Sequence, residues 1–82
     1  MILEVKIRVK SNYAREIANS IKVDNINLPK GMQITTDYTN NEIIVNIRYD
    51  FDDVKGILTV RNTADEILTQ IKTIEETLDN LK

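Results

Sequence analysis

Carboxylates are the side chains of this 82-residue chain that could do chemistry, because it contains no histidine and no cysteine. Those absences exclude a disulfide framework, a thiolate metal site and any catalysis that depends on an imidazole or a thiol. Acidic residues stand close together at two places, namely Asp50, Asp52 and Asp53, and Glu75, Glu76 and Asp79. Such groups could act as a general acid and base or hold a cation. We interpret the first as a capped helix start and the second as a solvated helix face, and expect no catalytic residue, metal or cofactor.

Basic side chains offer a second chemistry, which is contact with nucleic-acid phosphates. The outer face of the predicted strands carries Lys6, Arg8, Lys10 and Arg48, opposed by Glu4 and Asp37. The net charge is −2, the chain has no tryptophan, and its two glycines lie too far apart to form a phosphate-binding loop. A solvated strand face explains the same pattern, so RNA contact through Lys6, Arg8 and Arg48 is kept as the alternative.

Hydropathy patterns place these residues on five elements in the order β-α-β-β-α, within a single domain covering 1–82. Period-two alternation predicts strands over 3–10, 32–38 and 43–49. The short helix between the first two strands has an apolar stripe formed by Tyr13, Ala14, Ile17, Ala18 and Ile21. Because each strand has one apolar face, we expect an α+β, two-layer fold. Its three-stranded antiparallel sheet has the third strand in the centre and both helices on one face.

Turn-forming residues separate these elements. Ser11 or Asn12 can cap the first helix, since a side-chain oxygen there accepts the free N–H groups of the first turn. In the turn-rich segment 23–31, Asp24-Asn25 fits either a ligand-binding loop or a plain turn. The pair Asn40-Asn41 predicts a tight hairpin, because asparagine tolerates the left-handed conformation.

The last element is predicted to be one long helix from about Asp52 to Leu81. A 3-4-3-4 spacing forms a single apolar seam of Ile57, Val60, Ala64, Ile67, Ile71, Ile74, Leu78 and Leu81. Gly56 and five threonines lower the helix propensity, so the helix needs packing partners. A 30-residue helix spans about 45 Å and an eight-residue strand about 27 Å. We therefore expect the seam to outrun the sheet and to contact a second polypeptide, most simply in a two-fold homodimer.

A second row of residues lies along one flank of this seam, and we call it the flanking strip. It consists of Val54, Leu58, Arg61, Asp65 and Leu68. Arginine among leucines is typical of an interface anchor, which would make the flanking strip a partner-binding surface. Pattern alone favours a plainer interpretation, in which Arg61 and Asp65 form a solvated ion pair one helical turn apart.

Three short motifs, in this element order, carry a resemblance to a known family. They are the loop Asp24-Asn25-x-x-Leu28-Pro29-x-Gly31, the helix run Leu58…Arg61-x-Thr63-x-Asp65-x-x-Leu68-x-x-Ile71, and Ile71-Lys72-Thr73-x-Glu75-Glu76-x-Leu78. With them the chain resembles, over nearly its whole length, the Pcc-type (CTAG/Pcc) small subunit of the KEOPS complex. The Ile-, Asn- and Lys-rich composition fits an archaeal source.

The resemblance implies a non-catalytic role in tRNA processing. KEOPS makes the threonylcarbamoyladenosine modification beside the anticodon of tRNAs. The family's small subunit homodimerises and binds the N-terminal lobe of the sugar-kinase-like catalytic subunit through its helices, which brings two complexes together and helps tRNA engagement. Carried over to this chain, Arg61, Thr63 and Leu68 would face that partner. Asp65 departs from the asparagine that the resemblance leads us to expect, which leaves room for a paralogue with altered pairing.

Three functions therefore compete. The first is an assembly subunit, and the second is an autonomous RNA-binding module, although the Gly-x-x-Gly loop of KH domains is missing. The third is an oligomeric enzyme with its site between subunits, which the lack of histidine and cysteine disfavours. No apolar run approaches a membrane span and the start lacks the apolar core of a signal peptide, so we expect a complete, cytoplasmic protein.

Overall fold

The computed structural model describes residues 1–23 and 28–81. Its five elements are β1 (Ile2–Lys10), α1 (Ala14–Val23), β2 (Met32–Tyr38), β3 (Glu42–Asp50) and α2 (Lys55–Asn80). The strands form one antiparallel sheet in the order β1-β3-β2, so the predicted α+β fold with the third strand in the centre is confirmed. The pair Asp24-Asn25, proposed as a ligand loop or a turn, lies outside the described residues.

The core lies between the helices and one face of the sheet. On the central strand Ile43, Val45 and Ile47 are fully buried, because β3 has neighbours on both sides and helices above it. The apolar stripe of α1 contributes Ala14, Ile17, Ala18 and Ile21, all buried. Helix α1 packs over β2 and β3, and α2 packs over β1 and β3. The other face of the sheet, called the open face below, has no helix over it among the described elements.

Local hydrogen bonds define the ends of the elements. Ser11 Oγ accepts from the Tyr13 N–H at 3.0 Å, so Ser11 supplies the capping oxygen at the start of α1. At α2, Asp53 Oδ1 accepts from the Lys55 N–H at 3.0 Å, as expected for the first acidic group. The hairpin at Asn40-Asn41 is confirmed, since the Thr39 N–H donates to the Glu42 carbonyl at 2.8 Å. The expected left-handed asparagine is wrong, because no described residue other than glycine has a positive φ.

The seam of α2 is buried along most of its length. Val60, Ile67 and Ile71 are buried, and the core is extended by the half-buried Ala64, Ile74 and Leu78. Two members are left uncovered by the chain itself, because Ile57 is 49% exposed and Leu81 is 77% exposed. A strict seven-residue repeat drifts about 20° per heptad on a straight helix, so the two ends of the seam rotate away from the core in opposite directions.

The uncovered part of the seam at the C-terminal end of α2 is shorter than expected, because Ile74 and Leu78 pack against the core and only Leu81 is exposed there. The start of α1 extends the surface on which α2 lies beyond the strands. There the Tyr13 hydroxyl donates to Asp79 Oδ1 at 2.8 Å and links the two helices. The seam therefore packs within the chain up to Leu78, and the exposed apolar surface of α2 lies elsewhere.

Both glycines sit where a side chain would collide with a neighbour. Gly31 has φ +91°, and a Cβ there would lie 2.6 Å from the Asp50 carbonyl oxygen. Gly56 is buried in the first turn of α2, and a Cβ there would lie 2.8 Å from Phe51 Cβ and closer still to its ring. Gly56, whose residue type by itself indicates only a weak helix former, lets Phe51 pack under the helix.

Candidate protein-interaction surface

The flanking strip lies on the solvent-facing side of α2. Val54 is 69% exposed, Leu58 is 56% exposed and Leu68 is 41% exposed, while Arg61 and Asp65 are also classed as exposed. Eight large hydrophobic side chains are exposed among the described residues, and five of them belong to α2 or its immediate flanks. These five are the three of the strip together with Ile57 and Leu81. Exposed apolar side chains in one row on a helix mark a contact surface more often than scattered ones do.

Arg61 and Asp65 do not form the solvated ion pair that the pattern favoured. The described part of the chain contains three ion pairs, and none of them includes either residue. An exposed pair of this kind is worth at most about 1 kcal/mol and must order two flexible side chains. Arg61 is consequently a cation without a carboxylate partner within the described residues, and it stands between Leu58 and Leu68.

The strip covers two directions around the helix. Taking Val60 as the direction of the core, a turn of 3.6 residues places Ile57 and Leu68 roughly 60–80° to one side. The same geometry places Asp65 and Leu58 roughly 140–160° away, facing directly outward. Leu68 therefore lies on the side of α2, at the border of the strip, and Leu58 lies on the part of α2 that points away from the sheet.

A groove runs between this lateral border and β1. It has a volume of about 320 Å³ and is lined by Val9, Leu68, Ile71, Lys72 and Glu75. The inward-facing row of β1, formed by Leu3, Val5, Ile7 and Val9, is only half-buried, unlike the corresponding row of β3. Helix α2 therefore leaves the apolar side of β1 partly uncovered next to Leu68.

In the second acidic group Glu76 and Asp79 are exposed, as expected for a solvated helix face, whereas Glu75 is not. Asp79 accepts the Tyr13 hydroxyl, and Glu75 is half-buried, with its Oε2 shielded from solvent and without a hydrogen-bond partner among the described residues. Both carboxylates line a polar cavity of about 330 Å³ together with Lys10, Ser11 and other residues at the end of β1. Within residues 1–23 and 28–81 no group of three or more acidic side chains could hold a metal ion.

The open face of the sheet holds the residues that were considered for RNA contact. Arg48 Nε lies 3.3 Å from Glu4 Oε1, and Arg8 Nη1 lies 3.9 Å from Glu42 Oε1. Only Lys6 of the three has no ion pair in the described part of the chain. The positive charges on this face equal the negative ones in number, since it carries four basic and four acidic side chains: Lys6, Arg8, Lys10 and Arg48, and Glu4, Asp37, Glu42 and Asp50. It therefore offers phosphates no net positive charge.

Comparison with known proteins does not identify a function for this chain. No family model matches the chain, and no significant match was found among curated proteins or solved structures. In the described residues, no helix combines the length and the apolar character needed to cross a membrane. The residues that distinguish the molecule are the exposed strip and the groove beside it, both on the β1 side of α2.

Proposed function

We propose that this protein is a non-catalytic assembly subunit of a KEOPS-type complex for tRNA threonylcarbamoyladenosine modification. It acts in the cytoplasm as a homodimer, and each copy binds one sugar-kinase-like catalytic subunit through the flanking strip. One observation carries the proposal: α2 exposes Leu58 and Leu68 on either side of Arg61, a cation with no ion pair among the described residues. The identity of the partner rests on the family resemblance.

The chemistry of the strip supports protein binding. Burying a leucine that is about half exposed contributes roughly 1 kcal/mol or more, and the strip has three exposed aliphatic side chains in one row. Arginine is enriched at the centres of interfaces, where its planar head group pairs with a carboxylate and its stem packs on apolar neighbours. The strip fits a partner helix that presents an apolar face with one acidic side chain opposite Arg61.

The use of the acidic residues supports a role without catalysis. Asp53 Oδ1 accepts the Lys55 N–H at the start of α2, and Asp79 accepts the Tyr13 hydroxyl, so these two carboxylates serve the fold. Glu4 and Glu42 pair with arginines of neighbouring strands. Four carboxylates are thus engaged in contacts within the fold.

The test is an Arg61→Glu variant assayed for binding to the catalytic subunit. Placing a carboxylate where a cation should meet one weakens binding at least tenfold, since loss of an interface anchor costs about 1.4 kcal/mol or more. Arg15→Glu is the matched control, because Arg15 is an exposed arginine on α1, away from the strip. Calorimetry should show weak binding for the first variant and unchanged binding for the second. Full affinity of a folded Arg61→Glu variant would contradict the proposal.

The alternative function, an autonomous RNA-binding module, has one observation in its favour. Lys6, unpaired among the described residues, borders a depression of about 400 Å³ on the open face, next to Asn46 and Arg48. That function predicts RNA affinity that falls steeply with salt and is lost when Lys6, Arg8 and Arg48 are all changed to Gln. Our proposal expects little difference between the triple variant and the unchanged protein in the absence of the complex.

A further inference from the structure

We infer that Asp37 closes the outer edge of β2 to pairing with a strand of another chain. Its carboxylate holds the Tyr38 N–H, which an added strand would need, and it places a negative charge at that edge. The result is that molecules of this protein do not join through the β2 side of the sheet. The inference goes beyond the proposed function and does not depend on which protein the flanking strip binds.

The position and composition of β2 make it prone to pairing. It lies at the edge of the sheet, with β3 as its one strand neighbour among the described elements. Its seven residues include no proline, and an isoleucine, two threonines and a tyrosine favour the extended conformation. Asp37 is the single charged residue of the strand. Without that charge, β2 would be a neutral edge strand of high strand propensity, which is a template for pairing between chains.

The register of the sheet determines which backbone groups of β2 face outward. The Thr39 N–H donates to the Glu42 carbonyl at 2.8 Å, and the Asp50 N–H donates to the Gly31 carbonyl at 3.1 Å. Because bonding alternates along an antiparallel ladder, the odd-numbered residues of β2 bond to β3. The N–H groups that point away from β3 belong to the even-numbered residues Met32, Ile34, Thr36 and Tyr38.

Two of these four outward N–H groups already have acceptors within the chain. The Met32 N–H donates to the Pro29 carbonyl at 3.1 Å, and the Tyr38 N–H donates to Asp37 Oδ1 at 2.8 Å. Both ends of the edge are therefore closed, and the outward donors left to an added strand are those of Ile34 and Thr36. A ladder confined to residues 34–36 is shorter than the usual strand of about five to six residues.

The Asp37 carboxylate opposes pairing at Tyr38 in two ways. It accepts the hydrogen atom that the carbonyl oxygen of an added strand would otherwise accept. It also places a second acceptor, with a full negative charge, beside the position of that carbonyl, so the two oxygens repel each other. Asp37 is exposed and belongs to none of the ion pairs in the described part of the chain, so no described cation neutralises this charge.

Three variants of the full chain test the inference, and each removes one negative charge. Asp37→Ala deletes the acceptor, whereas Asp37→Asn keeps a side-chain oxygen that can accept the Tyr38 N–H. Asp52→Ala, at an exposed residue before α2, is the control for the loss of charge alone. Circular dichroism shows that each variant is folded, and sedimentation velocity over a series of concentrations measures the size of the species present.

Asp37→Ala should form species larger than those of the unchanged protein. We expect these species at a concentration about tenfold lower than for the unchanged protein, because pairing gains a backbone hydrogen bond and loses a repulsion. Asp37→Asn should assemble less than Asp37→Ala, and Asp52→Ala should not differ from the unchanged protein.

Hydrogen exchange locates the contact in the Asp37→Ala species. The Ile34 and Thr36 amides should exchange more slowly there than in the unchanged protein, since an added strand would accept their hydrogen atoms. The amides of β3 already lie in the ladder and should not change.

Four results would overturn the inference. The first is an Asp37→Ala protein that keeps the size of the unchanged protein at every concentration. The second is an Asp37→Asn protein that assembles as readily as Asp37→Ala, since the bond to Tyr38 would then not matter. The third is assembly of Asp52→Ala to the same extent, which would assign the effect to net charge. The fourth is unchanged exchange at Ile34 and Thr36 in the larger species, which would place the contact elsewhere.

Discussion

At the scale of single residues, tight contacts decide roles that residue type alone does not reveal. Gly56 is a poor helix former, yet it is the one residue type that lets the Phe51 ring approach the first turn of α2. Phe51 in turn stacks near Tyr49, with ring centroids 5.3 Å apart. Thr63 is another residue whose type disfavours a helix. Its Oγ1 donates to the Thr59 carbonyl at 2.8 Å, so the hydroxyl finds its hydrogen-bond partner within the helix itself.

Gly56→Ala should therefore destabilise the protein, although alanine is the better helix former. The gain in propensity is about 1 kcal/mol, and forcing a methyl group into a packed site costs typically about 1–3 kcal/mol. We expect a net loss of about 1 kcal/mol in urea unfolding. Asn62→Ala, an exposed change in the same helix, should be neutral or slightly stabilising. A Gly56→Ala protein more stable than the unchanged chain would contradict this assignment.

At the scale of elements, the fold could be predicted from periodicity, and the ends of α2 could not. Alternation along β1 and β3 specified which side chains face the core, because the two faces of a strand alternate strictly. The seam packs against the core from Val60 to Leu78 and is exposed at Ile57 and Leu81, because the drift of a seven-residue pattern accumulates toward both ends.

The tertiary contacts of α2 could not be predicted from the sequence. The bond between Tyr13 and Asp79 joins residues 66 positions apart, and nothing local in the sequence indicates it. The groove beside β1 depends on how far α2 sits toward the centre of the sheet, which side-chain spacing does not determine. The exposure of the flanking strip, in contrast, follows from its angle to the seam, which the spacing of residues along the helix already gives.

Tyr13→Phe tests the attachment of the last turn of α2. Removing the hydroxyl deletes the bond to Asp79 and should cost about 0.5–1 kcal/mol of unfolding free energy. Hydrogen exchange should accelerate at the amides of the final turn and stay unchanged in β3. Tyr38→Phe, at an exposed tyrosine of β2, is the control and should alter neither quantity. Equal protection of the final turn in both variants would refute a holding role for this bond.

At the scale of the whole molecule, the described chain is elongated, with principal dimensions of 46 × 19 × 18 Å. A domain of this size buries a small core relative to its surface, so association is an effective source of further stability. The long side formed by β1 and α2 carries both the free strand edge and the exposed leucines. The opposite long side carries β2 and α1, whose apolar stripe is buried.

The midpoint of thermal unfolding should consequently rise with protein concentration. Binding of a second folded copy stabilises the native state by mass action, so each tenfold increase in concentration adds up to about 1.4 kcal/mol per dimer. Calorimetric scans over a hundredfold range of concentration measure this shift. A midpoint independent of concentration in the unchanged chain would argue for a lone monomer.

The exposure of the flanking strip has a consequence for how this protein can change over time. Because Leu58, Arg61 and Asp65 contribute nothing to the buried core, substitutions there should leave the native state intact, and under the proposed function they would change which protein the strip binds. Duplicated copies of such a gene can diverge at these positions and acquire separate assemblies while keeping one architecture. Recognition and folding are thereby free to evolve under independent selection.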